Sequence, residues 1–315
     1  MNESRILGLH HITAIAGNAQ RNYDFYTQAL GLRMVKKTVN FDDPGTYHFY
    51  YGNETGTPGT ILTFFPWEGI GQGHTGTGMA TEIGYSVPAG SLDFWRDHFT
   101  RLQVPSTETG ERFGETFLSF TDPDGLNLAL LVPDKNDSRP GWTSGEIGPE
   151  AATKGFHSAT LTLKAIDPTA RVLTDIFGYR LLSQEGNRYR FITDAVPDAA
   201  IVDLLETPDG KPGRNAAGTN HHIAFRVADS NAQMAYREKV LSKGLQITPQ
   251  IDRDYFFSLY FREPGGVLFE IATDNPGFTV DEPLAELGKG LKLPKQYEPA
   301  RAEIERSLPS LRQQG

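Results

Sequence analysis

Two adjacent histidine pairs stand roughly two hundred residues apart, in "GLHHITAI" (8–15) and "TNHHIAFRV" (219–227), and use four of the chain's eight histidines. Each pair opens an apolar stretch that reads as a β-strand. Side chains alternate along a strand, so His11 and Thr13 share one face and His10 and Ile12 the other. By the same rule His222, Ala224 and Arg226 oppose His221, Ile223 and Phe225. A third group that could act with them is Glu270, inside the apolar run "VLFEIA" (267–272). Burying an unpaired carboxylate is costly, so an interior Glu there calls for a cationic or metal partner. An edge strand with Glu270 in solvent is the other solution. One imidazole from each pair plus Glu270 would form a two-His, one-carboxylate set. Its open coordination positions suit Fe(II) chemistry in which substrate and O2 both bind. Such N/O donors select weakly among metals, which leaves Mn(II) and Zn(II) open. The competing reading of either pair is a hydrogen-bonded core histidine.

Composition narrows the classes. At 315 residues there is chain enough for two ordinary domains or one large one, and 38% hydrophobic with 22% charged residues describes a globular protein. A net charge of −9 advertises no basic surface for nucleic acid or anionic membrane. No apolar run approaches a membrane span and "MNESRILGLHH" lacks a signal peptide's apolar core, so the cytoplasm is the expected location. With no cysteine, disulfides, thiolate metal sites and a Cys nucleophile are excluded. "GIGQGHTGTG" lacks the Lys-Ser/Thr of a phosphate loop, and no nucleophile elbow occurs.

The elements that must position the histidines emerge when the chain is laid on itself. A strand pattern opens at "LHHITAI" (9–15), "TEIGYSV" (81–87), "FHSATLTL" (156–163) and "HHIAFRV" (221–227). A helical segment follows each time: "NAQRNYDFYTQALGL", "SLDFWRDHFTRL", "DPTARVLTDIFGY" and "NAQMAYREKVLSKGL". Ser91 and Asp229 suit N-caps, and Gly31, Gly178 and Gly244 suit helix C-termini. About three strands then complete each unit, and two closing hairpins are visibly related, "FTDPDGLNLALLVPD" (120–134) and "FREPGGVLFEIATD" (261–274). The expected fold class is therefore α+β, four βαβββ modules forming two cupped mixed sheets. The expected organisation is an N-terminal pair of modules (1–135), a Gly/Ser/Pro-rich linker (136–154), a C-terminal pair (155–275) and an extension with a late helix (276–315).

These modules, with "DFYTQALGLR" after the first strand and "PGGVLFEIATD" at the last, resemble the vicinal-oxygen-chelate superfamily of glyoxalases, bleomycin-resistance proteins and extradiol dioxygenases. The four-module layout, the paired histidines and "KKTVNFDDPGTYHFYYG" (36–52) are similar to the ring-cleaving dioxygenases that act on hydroquinones. The resemblance covers almost the whole chain. It implies that modules one and four pair across the chain's ends and that His11, His222 and Glu270 are iron ligands. It also places Thr13, Arg253 and Tyr260 at substrate-pocket positions, the last two in "DRDYFFSLYF" (252–261).

Aligning the modules restricts the metal count independently. His11 is matched by Glu82, Ser158 and His222, while Glu270 is matched by Ala129 and, loosely, by Phe64 or Thr63 and a residue near Leu204. Imidazole and carboxylate survive together only in module four, with a lone imidazole in module one, which fits one metal. His10 and His221, beside the ligands, are candidates to hydrogen-bond substrate hydroxyls or to orient a ligand. Arg253 could hold an anionic phenolate, against a surface ion pair with Asp252 or Asp254, and Tyr260 could donate a proton. Glu82, without a partner histidine, reads as a salt bridge. His48, His74 and His98 read as incidental, and Phe65, Trp67, Phe256 and Phe257 as pocket or core aromatics.

The expected activity is Fe(II)-dependent ring cleavage of a hydroquinone-type or catechol-type phenol with O2, removing quinols before they become thiol-reactive quinones. The rivals are a glyoxalase-like isomerase or lyase, which usually draws four protein ligands, and a non-catalytic binding protein of the bleomycin-resistance kind. Self-association into a homo-oligomer is left open.

Overall fold

The computed structural model describes residues 5–313. Module one comprises β1 (Leu9–Ala16), α1 (Ala19–Asp24, continued by a π-helical turn over Phe25–Ala29), β2 (Arg33–Val39), β3 (Tyr47–Gly52) and β4 (Ile61–Pro66). Module two has β5 (Met79–Ser86), α2 (Leu92–Arg101), β6 (Gly110–Arg112), β7 (Glu115–Thr121) and β8 (Asn127–Leu131). Module three has β9 (Gly155–Leu163), α3 (Asp167–Arg171, again with a π turn), β10 (Arg180–Glu185), β11 (Arg188–Ile192) and β12 (Ile201–Glu206). Module four has β13 (Thr219–Val227), α4 (Ser230–Ser242), β14 (Ile251–Asp252), β15 (Phe256–Arg262) and β16 (Leu268–Pro276). The late helix is α5 (Arg301–Ser307). No helix among the described residues is long and apolar enough to cross a membrane.

Local signals behave as their chemistry requires. Asp229 caps α4 by accepting from Ala232 N at 2.9 Å. Ser91 sits at the N-cap of α2 without capping it, because its hydroxyl donates instead to the Pro88 carbonyl. Gly31, Gly178 and Gly244 all adopt positive φ where their helices end.

The α+β architecture is two eight-stranded sheets. One runs β14-β15-β16-β13-β1-β4-β3-β2 and the other β10-β11-β12-β9-β5-β8-β7-β6. Modules one and four therefore share a sheet, joined where β1 lies antiparallel to β13, and modules two and three share the second across β5 and β9. Residues 136–154 connect the two modules of the second sheet. The segments between sheets run side by side, with Gly76 so close to 211–213 that a Cβ would stand 2.4 Å from the Lys211 carbonyl oxygen.

Alternation sorts the strands into two faces. Ile223, Phe225, Phe269 and Ile271 join the main core with the helices, while Ala224 and Ala272 face the concave side with Tyr50, Phe256, Phe278 and Leu287. Phe278 and Leu287 belong to the C-terminal extension, which thus closes part of the first cup. The buried Lys36 ammonium pins that strap by pairing with Asp281 and Glu282.

Candidate metal centre

The first sheet is irregular where the histidine pairs stand. Its register steps from Leu9↔Phe225 to His11↔Ala224, leaving His10 as an extra residue on β1. It steps again from Thr13↔His222 to Ala14↔Asn220, leaving His221 extra on β13. A β-bulge of this kind suspends strict alternation and re-aims side chains. His10 and His11 accordingly come together, Nδ1 to Nδ1 at 2.9 Å, and so do His221 and His222 at 2.8 Å. The alternation that set His10 and His221 on the opposite face from their neighbours is corrected by these two bulges.

His11, His222 and Glu270 converge, their ligand atoms all within 4.8 Å of one another and all three residues buried. Parallel pairing of β13 with β16 sets Glu270 opposite Ala224, next to His222 on the concave face. Glu270 is fully buried, so the solvent-edge alternative does not hold. Its Oε2 lies 3.2 Å from His11 Nε2 and 2.9 Å from His222 Nε2. His222 Nε2 and Glu270 Oε2 nevertheless lack a hydrogen-bond partner of acceptable alignment. They aim at a shared point more than at each other, as the donors of a cation would. Burial opposes ionisation of Glu270, yet His11 and then His222 hold its carboxyl well below the usual range.

The hydrogen bonds behind the ligands fit the same occupant. Burial, then the neighbouring His11, pushes the His10 pKa well down, so His10 is neutral. Its Nε2 faces the Thr273 carbonyl oxygen at 3.1 Å and must carry the proton. His10 Nδ1 then accepts from His11 Nδ1–H, which leaves the His11 Nε2 lone pair directed at the cation position. Burial, then His222, pushes His221 down to about 3. For His222 Nε2 to serve a cation, His222 Nδ1–H must donate to His221 Nδ1, which makes His221 Nε2 a donor. Thus His10 is spent on the protein while His221 has a proton to offer.

Glu270 receives a further bond from Ser258 Oγ at 2.5 Å. Over the site lies a cavity of about 360 Å3. Its wall includes His11, Thr13, His221, His222, Arg253 and Tyr260, but not His10. Arg253 turns inward, its guanidinium 5.6 Å from the Tyr260 ring centre and 5.3 Å from that of Phe41. Its nearest carboxylate is Asp42 at 3.7 Å, so the competing surface ion pair with Asp252 or Asp254 does not form. Burial, then the Glu270 charge, raises the Tyr260 pKa, so its phenol stays protonated. Phe65, Trp67 and Phe256 line the cavity and Phe257 does not.

His48 was not expected here, yet it lines the cavity with Asn40, Phe41, Asp42, Asp43 and Tyr50. All six fall in "KKTVNFDDPGTYHFYYG", so the signal was the motif as a whole and not any one residue. His98 bonds the Ala29 carbonyl, His74 bridges to Arg214, and Glu82 pairs with Arg112.

The sequence model of the Glyoxalase/Bleomycin resistance protein/Dioxygenase superfamily matches residues 8–130 and 155–271. The chain belongs to this superfamily. Among its members, the "Putative ring-cleaving dioxygenase MhqO" of Bacillus subtilis (strain 168) is 48% identical over 306 residues, covering 96% of each chain. The "Chlorohydroquinone/hydroquinone 1,2-dioxygenase" of Sphingobium indicum is 37% identical over 312 residues, again 96% of each chain. A crystal structure described as a "putative dioxygenase" from Bacillus subtilis superposes with a TM-score of 0.94 at 47% identity, over 98% of both chains. Glyoxalase I from Zea mays shares the superfamily fold, with a TM-score of 0.63 at 14% identity over 86% of this chain and 93% of that one.

Proposed function

We propose that this chain is a ring-cleaving dioxygenase for hydroquinone-type phenols, with catechols the neighbouring substrate class, using one Fe(II) ion held by His11, His222 and Glu270. The observation that carries the reading is the convergence of three buried ligand atoms beneath an aromatic-walled cavity. Near-full-length similarity to proteins named for this chemistry supports it. Mn(II) or Zn(II) would suit the same donors. When bound, a redox-active ion supplies Lewis acidity to a ligating phenol and an electron path between ring and O2.

The chain's own groups position and stabilise. His10 holds the His11 tautomer through the Thr273 carbonyl. His221 Nε2–H donates to a substrate oxygen, and the Arg253 guanidinium stabilises negative charge as it develops on oxygen. Tyr260 Oη holds a proton beside Arg253 and donates a hydrogen bond from it. Thr13 adds a hydroxyl, and Phe65, Trp67 and Phe256 shape a slot for a flat ring and exclude water. The reaction breaks one ring C–C bond and places both atoms of O2 in the open product. Its service to the cell is the removal of quinols before they oxidise to thiol-reactive quinones.

Oxygen uptake by anaerobically Fe(II)-loaded protein tests this, with methylhydroquinone and catechol compared side by side. One O2 consumed per ring, with loss of aromatic absorbance, is expected. No uptake from either, with iron shown to be bound, rejects the dioxygenase and favours the metal-dependent isomerase.

A further inference from the structure

The second sheet repeats the first down to its irregularities. Its register skips Thr81 on β5 and His157 on β9, the places where His10 and His221 are inserted in the first sheet. The ligand positions are filled by Glu82, Ser158 and Asp203, the last held by Arg190, and no second metal-binding group forms among the described residues. This cup is nonetheless open. The C-terminal strap enters only the first cup, and the second encloses about 730 Å3 against about 360 Å3 in the first.

The wall of this second cavity is rich in hydroxyl groups, including those of Thr81, Ser119, Thr160 and Thr162, and carries Arg188 and Glu82. A buried ion cluster adjoins it. Arg190 holds Asp203 at 2.9 and 3.1 Å and Glu115 at 2.5 Å, and His157 meets Glu115 at 2.9 Å. Burying so many charges is expensive and contributes little to stability that apolar filling would not. Arg188 is the poorly neutralised member. Its nearest carboxylate oxygen, Asp203 Oδ2, is 3.7 Å away and already bonded to Arg190. Its hydrogen bond among the described residues is a single neutral one, to Thr160 Oγ1 at 2.9 Å. Burial, then the nearby Arg112 charge, lowers its pKa, which an anion would reverse.

We propose that the second cup binds a small monocarboxylate, its carboxylate on the Arg188 guanidinium and its other oxygens on the threonine hydroxyls. A planar fork facing a void matches a carboxylate. Glu82 on the same wall, held by Arg112, accepts a hydrogen bond from a hydroxyl of the ligand. A ring-opened acid, as formed by the reaction proposed above, is of this class, and only that last identification rests on that reading.

The test is saturation-transfer NMR with hexa-2,4-dienoate, and with hexa-2,4-dien-1-ol as the uncharged control. The proteins are wild type, Arg188→Gln, Ser119→Leu and His222→Ala. Ser119→Leu fills the void without touching the ion cluster, so it serves if Arg188→Gln fails to fold. Saturable dienoate binding is expected in wild type and His222→Ala. It should weaken about tenfold or more in Arg188→Gln and disappear in Ser119→Leu. The proposal is overturned by absence of saturable dienoate binding, by dienol binding equally well, or by binding that survives both cup variants. Loss in His222→Ala would also overturn it, by moving the ligand to the first cup. Failure of the oxygen-uptake experiment leaves each of these outcomes readable.

Discussion

His10 Nδ1 lies 2.9 Å from His11 Nδ1, and the far nitrogen of His10 is anchored 3.1 Å from the Thr273 carbonyl oxygen. A backbone acceptor on β16 thereby sets which nitrogen of His11 is free on β1. Removing such support costs about 10–100-fold in metal affinity. His10→Phe should therefore weaken Mn(II) or Fe(II) binding by that order in an anaerobic calorimetric titration. An unchanged affinity would mean that the His11 ring is oriented by packing alone.

Glu270 brings the charge that makes the ligand set favourable for a divalent cation. Metal at about a hundred times its dissociation constant stabilises a folded protein by about 2.7 kcal/mol. Thermal unfolding of wild type should shift upward when Mn(II) is added. Glu270→Gln should show no metal-dependent shift, and an equal shift in that variant would sink the ligand assignment.

A second hydrogen-bonded chain points into the same cavity. Tyr50 Oη lies 2.9 Å from His48 Nδ1, His48 Nε2 3.0 Å from Thr63 Oγ1, and Thr63 Oγ1 2.8 Å from Thr13 Oγ1. Burial pushes the Tyr50 pKa well up and the His48 pKa well down, so both are neutral. If Tyr50 donates first, each following group passes its proton forward, and Thr13 presents its O–H to the cavity. Tyr50→Phe and Thr13→Val should each lower kcat/KM by about 3–10-fold. The double variant should lose less than the product of the two, as expected for one coupled chain. Steady-state kinetics of the four proteins decides it, and multiplicative losses would show that the residues act separately.

Stability at acid pH should report the cluster beside the second cup. Burial opposes ionisation of Glu115, but its bonds to His157 and Arg190 win and hold its pKa at about 2, against 4.5 for a free carboxyl. The unfolded chain then binds more protons than the native one between these values. The contribution of Glu115 is present in full above pH 4.5 and is lost as pH falls towards about 2. Urea midpoints measured down through this window should fall less steeply for Glu115→Gln than for wild type. Parallel slopes would contradict the assignment.

The sequence by itself determined the four modules, because periodicity and Gly or Pro punctuation are local properties of each segment. It also brought forward one imidazole from each pair together with Glu270, and the family resemblance picked His11 and His222 within the pairs. That modules one and four share a sheet was implied only by the family resemblance, because the β1–β13 contact joins residues more than two hundred positions apart, and tertiary structure bears it out. Tertiary structure alone placed His10 and His221 with their neighbours, since a bulge is an extra residue relative to a partner strand and has no signature in one strand read alone. The approach of Asp42 to Arg253 and the arrival of His48 in the cavity wall follow for the same reason. Each depends on what β2, β3 and β15 are packed against, and no alternation pattern within those strands records it.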